Sequence, residues 1–170
     1  MKAETKRLWM VIAVFLLLSA LGQAEAAEYF PKFSSKTLDG KDVTNTVFSG
    51  KKLTMVNLWA TWCPPCVQEM PDLGRLGRAM PEGTQLIGLL LDAGDSKAVK
   101  EANAILSQAK ADFPQIRPSK EMTSFLDSVA AIPTTFFVDS EGQIVGDAVV
   151  GSRSEKSYRA EIEKALKQLR

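Results

Sequence analysis

Apolar positions along this chain change period from segment to segment, and each change marks an expected element. Phe33 to Leu38 and Lys41 to Val43 flank Asp39-Gly40, a dipeptide that favours the tight turn between antiparallel strands, so the stretch predicts a short hairpin. Leu53 to Trp59 is an apolar strand. Cys66 to Met80 suits a helix, with Pro71 predicting a kink and Pro81-Glu82-Gly83 a stop. Gln85 to Leu91 is a continuous apolar run, the pattern of a strand buried on both faces, which implies a sheet covered on both sides.

Further along, Ser96 is placed to cap a helix reaching about Lys110, in which Val99, Ala102, Ile105, Leu106 and Ala109 form a helical stripe. Phe113 to Ile116 predicts a short edge strand. Ser119 is placed to cap a further short helix carrying Met122, Phe125, Leu126 and Val129. Thr134 to Val138 and Gln143 to Val150 predict strands joined by a turn at Asp139 to Gly142, and Ser154 to Leu169 a closing helix. Alternating strands and helices that end in a hairpin plus helix specify an α/β domain.

The N-terminus carries a separate signal. Lys2, Lys6 and Arg7 precede an apolar run from Leu8 to Leu21, followed by the small-x-small sequence Ala24-Glu25-Ala26. That is the form of an export signal. The run is shorter than the roughly 20 apolar residues of a spanning helix, which favours cleavage over a permanent anchor. The expected organisation is therefore a signal over residues 1–26, or an anchor if uncleaved, and a single domain over 27–170, placed outside the cytoplasm.

Charge and composition narrow the function. The 170 residues carry 21 basic and 20 acidic side chains, too balanced for an electrostatic surface that holds nucleic acid. Histidine is absent, so proton transfer near neutral pH falls to a carboxylate, a thiol or water.

The two cysteines, Cys63 and Cys66, stand three apart in one motif. An exported chain ordinarily uses cysteines to staple distant segments, and so small a loop is a poor staple, because disulfide stabilisation grows with loop length. A redox pair explains the spacing. An inert disulfide, or half of a zinc or iron-sulfur site completed by a second copy, are the competing readings. The motif lies where a strand hands over to a helix, and the exposed N–H groups and positive dipole end there favour a Cys63 thiolate. Cys63 is therefore the expected nucleophile, and Cys66, one turn further in, the resolving thiol.

Two stretches, Val-Asn-Leu-Trp-Ala-Thr-Trp-Cys-Pro-Pro-Cys-Val-Gln-Glu-Met-Pro (Val56 to Pro71) and Ala-Ile-Pro-Thr-Thr-Phe-Phe-Val-Asp-Ser-Glu-Gly (Ala131 to Gly142), resemble the TlpA/ResA branch of the thioredoxin superfamily, exported reductases with a Trp-Cys-x-Pro-Cys centre. The resemblance covers nearly all of the chain after the signal. It implies a thioredoxin-like three-layer sandwich with a mixed central sheet and the N-terminal β-hairpin as an extension. It also implies that Pro133 is cis and faces the disulfide, with Ile132 presenting backbone to an extended partner segment, and that Trp62 and Pro65 belong to the same binding surface. Trp59 is expected in the core. Glu69 matches a glutamate that family members use in proton transfer, although a first-turn glutamate on a solvated face would satisfy the helix dipole equally. Asn57 stands where thioredoxin has a buried aspartate, which leaves Glu69 or water as proton acceptor.

What the resemblance implies about function is reduction of disulfides in extracytoplasmic proteins, including apocytochrome c. The partners would be disulfide or dithiol proteins and a membrane electron donor, with the Cys63–Cys66 disulfide in place of any cofactor and a monomer as the default state. Two alternatives stand beside it. One is a peroxiredoxin-like peroxidase, against which Ala60 occupies the position of the usual threonine; the other is a metal chaperone using the two thiols, against which the chain has no histidine.

Overall fold

The computed structural model describes residues 28–169, so the signal reading of residues 1–26 lies outside the described residues. A five-stranded mixed sheet forms the centre. The strands are β3 (Leu53–Trp59), β4 (Thr84–Leu90), β5 (Gln115–Ile116), β6 (Thr134–Asp139) and β7 (Val149–Val150), in the order β5-β4-β3-β6-β7. β4 runs parallel to β3 and β5, whereas β6 runs antiparallel to β3 and β7. The N-terminal hairpin, β1 (Ser34–Lys36) and β2 (Asp42–Thr44), is a separate two-stranded sheet. It abuts the β5 edge through a bridge between Thr37 and Ile116 and a hydrogen bond from Leu38 N–H to the Gln115 carbonyl.

Strand alternation sorts the core into two clusters. On β3, Met55 and Trp59 face one side of the sheet, where α1 (Pro64–Gly77), α2 (Ser96–Ala109) and α4 (Glu155–Gln168) pack, and Val56 and Leu58 face the other. The second face is covered by Phe30, Phe33, Phe48 and Met122, with the ring of Phe125, on the short α3 (Thr123–Asp127), 4.9 Å from that of Phe136 and tilted 51° to it. The sandwich therefore has three layers, and the sheet is covered on both sides as its apolar strands require.

Several boundaries differ from those the pattern predicts, each for a local reason. α1 begins at Pro64 instead of Cys66, because proline's fixed φ and missing N–H suit a first helical turn; Cys63 becomes the N-cap. The helix runs through Pro71 and ends at Gly77. Asp95, not Ser96, caps α2, its carboxylate accepting from Lys97 N–H at 2.8 Å, where the helix dipole favours negative charge. Ser119 makes no cap bond and is followed by a 3-10 turn, Lys120–Met122, before α3. The strand expected over Gln143 to Val150 pairs at Ile144, leaves the sheet, and rejoins as β7. Gly146, at φ +69°, turns the backbone out of line between those points.

One contact ties the edge of the sheet to its centre. Trp59 Nε1 donates to Gln115 Oε1 at 2.9 Å, and Gln115 Nε2 donates to the Phe113 carbonyl, so the Gln115 amide lies flat over Gly88 on the strand between. A Cβ at position 88 would overlap that amide. Gly88→Ala is therefore expected to cost about 1–3 kcal/mol, the usual range for overpacking a filled core. Urea denaturation measures it, and wild-type stability would show that Gln115 is free to move.

Candidate active site

The described chain turns from β3 into α1 through Ala60, Thr61 and Trp62. Asp92, just after β4, holds this turn: its Oδ2 accepts from Thr61 N–H at 3.2 Å and from Thr61 Oγ1 at 2.6 Å. Cys63 follows as the N-cap, its Sγ 3.3 Å from the Cys66 N–H, and the two cysteines form a disulfide. Helix N–H groups and the positive dipole end thus meet at the Cys63 sulfur, the environment that favours a thiolate once the bond is reduced.

The two sulfurs are not equivalent. Cys63 lines an open cleft of about 480 Å³ and Cys66 does not. The cleft walls are Trp62, Pro64, Pro65 and Leu91 on one side and the Val129–Ile132 segment on the other; among the described residues no charged side chain lines it. Trp62 is 68% exposed at its rim, whereas Trp59 is fully buried. The Ile132–Pro133 peptide is cis, and the Ile132 carbonyl oxygen lies 3.7 Å from Cys63 Sγ. Trp62, Pro65 and Ile132 therefore share one surface with Cys63. Pro133 sits directly behind it, its carbonyl accepting from Gly151 N–H at 2.8 Å.

Glu69 is on the inner side of α1, one turn after Cys66, and only 2% exposed; the solvated-face reading is corrected. The reason is strand parity. Asn57 shares the face of β3 that carries Met55 and Trp59, so it points at α1, where its Nδ2 donates to Glu69 Oε1 at 3.0 Å. Glu69 Oε2 accepts from the Arg153 main-chain N–H at 3.0 Å and from the Tyr158 hydroxyl at 2.9 Å. Burial pushes the Glu69 carboxyl above the ordinary carboxylate range, opposed by hydrogen bonds from Arg153 N–H, Asn57 and Tyr158 and by the Arg153 charge. A carboxyl raised in this way, one helical turn from a thiol, is suited to taking up and returning a proton. Asn57, Asp92, Thr135 and Tyr158 complete the surroundings; of these, the sequence pattern singles out only Asn57.

This fold, with a dithiol pair at a helix N-terminus opposite a cis proline, defines a thiol-disulfide oxidoreductase of the thioredoxin superfamily. A family model described as Redoxin matches residues 25–166, and the chain belongs to that family, as a ResA-like member. It is 26% identical over 176 residues to the thiol-disulfide oxidoreductase ResA of Geobacillus thermodenitrificans, covering 96% of this chain and 98% of that protein. It is 30% identical over 148 residues to the sporulation thiol-disulfide oxidoreductase A of Bacillus subtilis, covering 82% and 87%. Among solved structures, a thioredoxin-family thiol:disulfide interchange protein from Chlorobium tepidum superposes with a TM-score of 0.67 at 25% identity, covering 82% of this chain and 97% of that one.

The raised Glu69 pKa sets a pH dependence whose sign is fixed. Between the ordinary carboxylate value of about 4.3 and the raised native value, the folded protein holds a proton that the unfolded chain has released. Stability from this group is therefore full at acid pH and falls as pH rises through that window. Glu69→Gln does not ionise, so urea denaturation between about pH 4 and 8 should show a flatter decline than wild type. Equal slopes would contradict a buried carboxyl at this position.

Proposed function

We propose that this chain is exported and reduces disulfides of extracytoplasmic proteins, with Cys63 as nucleophile and Cys66 as resolving thiol. The observation that carries the reading is the asymmetry of the cleft: Cys63, although only 3% exposed, lines the uncharged groove beside the Ile132 carbonyl, whereas Cys66 is wholly buried and does not line it. In the reduced protein the Cys63 thiolate attacks one sulfur of a substrate disulfide and expels the other as a thiolate, leaving a mixed disulfide. Cys66 gives its proton to the Glu69 carboxylate and attacks Cys63 Sγ, which releases the second substrate thiolate and closes the Cys63–Cys66 bond. Two electrons pass to the substrate, and the two departing thiolates take up two protons, one through Glu69.

An extended substrate segment would lie between Trp62 and Pro65 on one side and Ile132 on the other, by main-chain pairing and apolar contact, with the buried Pro133 fixing the course of the backbone behind Ile132. The basic N-terminus, apolar run and Ala24-Glu25-Ala26 support export; among the described residues no helix is long and apolar enough to cross a membrane. An exported reductant has to be reduced again, so a membrane protein that passes electrons outward is the expected donor. Apocytochrome c thiols are the candidate target that the ResA likeness brings, and a monomer serves this chemistry, since both thiols and the cleft lie in one chain. Buried Ala60 offers no hydroxyl to a peroxide, which weighs against the peroxidase alternative.

Cys66→Ser should trap a mixed disulfide between Cys63 and exported cysteine-containing proteins, recovered by non-reducing gels and mass spectrometry, and Cys63→Ser should trap none. Capture through Cys66 alone would reverse the assigned roles, and no capture by either variant would remove the protein-substrate reading.

A further inference from the structure

Four side chains from four elements close a hydrogen-bonded ring behind the disulfide. Asn57 Nδ2 on β3 donates to Glu69 Oε1 on α1 at 3.0 Å and to Thr135 Oγ1 on β6 at 3.1 Å. Thr135 Oγ1 lies 3.3 Å from the Tyr158 hydroxyl on α4, and that hydroxyl lies 2.9 Å from Glu69 Oε2. Register builds half of the ring, since Asn57 and Thr135 are directly paired across β3 and β6.

The donor inventory fixes every proton when Glu69 is ionised. A carboxylate only accepts, so Tyr158 commits its one hydrogen to Glu69, Thr135 donates to Tyr158, and the two N–H groups of Asn57 serve Thr135 and Glu69. Every donor in the ring is thereby aligned toward the carboxylate. Burial and the Glu69 charge hold the Tyr158 phenol above its ordinary range, which keeps it a donor. One atom is left over: Asn57 Oδ1 is buried without a partner. A protonated Glu69 finds an acceptor by reversal of the hydroxyl chain, with Oε2 donating to Tyr158 and Tyr158 donating to Thr135, or by rotation of the Asn57 amide, which turns Oδ1 toward Oε1.

We propose that Tyr158 is a positioning residue of the redox centre: through its hydroxyl, backed by Thr135, it holds Glu69 in proton-accepting form one helical turn from Cys66. The proposal rests on the reading of Glu69 as proton acceptor. The other groups acting on Glu69 are the Arg153 main-chain N–H and guanidinium, on the segment leading into α4; Cys66 stands three residues earlier on the same helix. The structural alternative for Tyr158 is core packing alone, because it is fully buried among apolar side chains. Tyr158→Phe keeps the ring and removes the donor.

The test is the titration of the Glu69 carboxyl, followed by carbon NMR in wild type, Tyr158→Phe and Thr135→Val, together with the pH profile of disulfide exchange in these proteins and in Glu69→Gln. Tyr158→Phe should raise the Glu69 midpoint by about one pH unit, the effect of losing one hydrogen bond to a charged group, and move the acid limb of the exchange profile the same way. Thr135→Val should move both in the same direction by less. Near-UV circular dichroism checks the fold of each variant, and if Tyr158→Phe does not fold, Thr135→Val decides alone. A wild-type midpoint in the folded variants overturns the positioning role while leaving Glu69 as acceptor if Glu69→Gln alters exchange. An unchanged exchange profile in Glu69→Gln overturns the acceptor reading, and the positioning role falls with it.

Discussion

The constraint on which the rest of this site depends is the burial of one carboxyl group beside a disulfide. Removing Glu69 from water is costly unless its oxygens are satisfied, and the chain draws on three parts of the fold outside α1 to do so. Asn57 from the central strand, the Arg153 main chain ahead of the last helix, and Tyr158 within that helix converge on two oxygen atoms. The same convergence fixes how α1 and α4 sit on the sheet, and therefore where the helix N-terminus delivers Cys63. Packing and chemistry are in this respect one requirement: a shift of α4 would leave the carboxyl short of donors before it opened any large cavity.

The second determinant is the difference in access between the two sulfurs. Proline at both positions between them lets the helix begin immediately after Cys63, so Cys63 becomes a cap at the surface of the cleft and Cys66 falls on the buried side one turn on. The Asp92 carboxylate holds the preceding turn from the end of the neighbouring strand, and the segment from Val129 to Ile132 closes the opposite wall. An uncharged groove discriminates by shape, main-chain pairing and apolar contact.

Much of this was legible in the residues. Leu53 to Trp59 is mostly apolar, broken only by Thr54 and Asn57, the cysteine pair is too close to act as a staple, and the family resemblance carried by the Ile132-Pro133-Thr134 stretch places the cis proline. Elements whose limits depend on a single capping or turning residue were less visible: Asp95 displaces Ser96 as cap, and Gly146 divides what reads as one strand. The ring around Glu69 was largely invisible. Thr135 reads as one more strand residue and Tyr158 as one more amphipathic helix position, and only the antiparallel register of β3 and β6 and the docking of α4 bring them together. Local pattern specifies elements, whereas polar partners separated by some ninety residues are specified by their assembly.

The central claim, that the dithiol serves as a reductant, is tested most directly by the reduction potential of the Cys63–Cys66 couple, measured by equilibrating the protein with glutathione or dithiothreitol buffers and scoring the bond. The account predicts a potential well below about −200 mV at neutral pH, which requires a dedicated electron donor. A value near about −120 mV would contradict it, and would make the same cleft and the same two sulfurs a device for introducing disulfides.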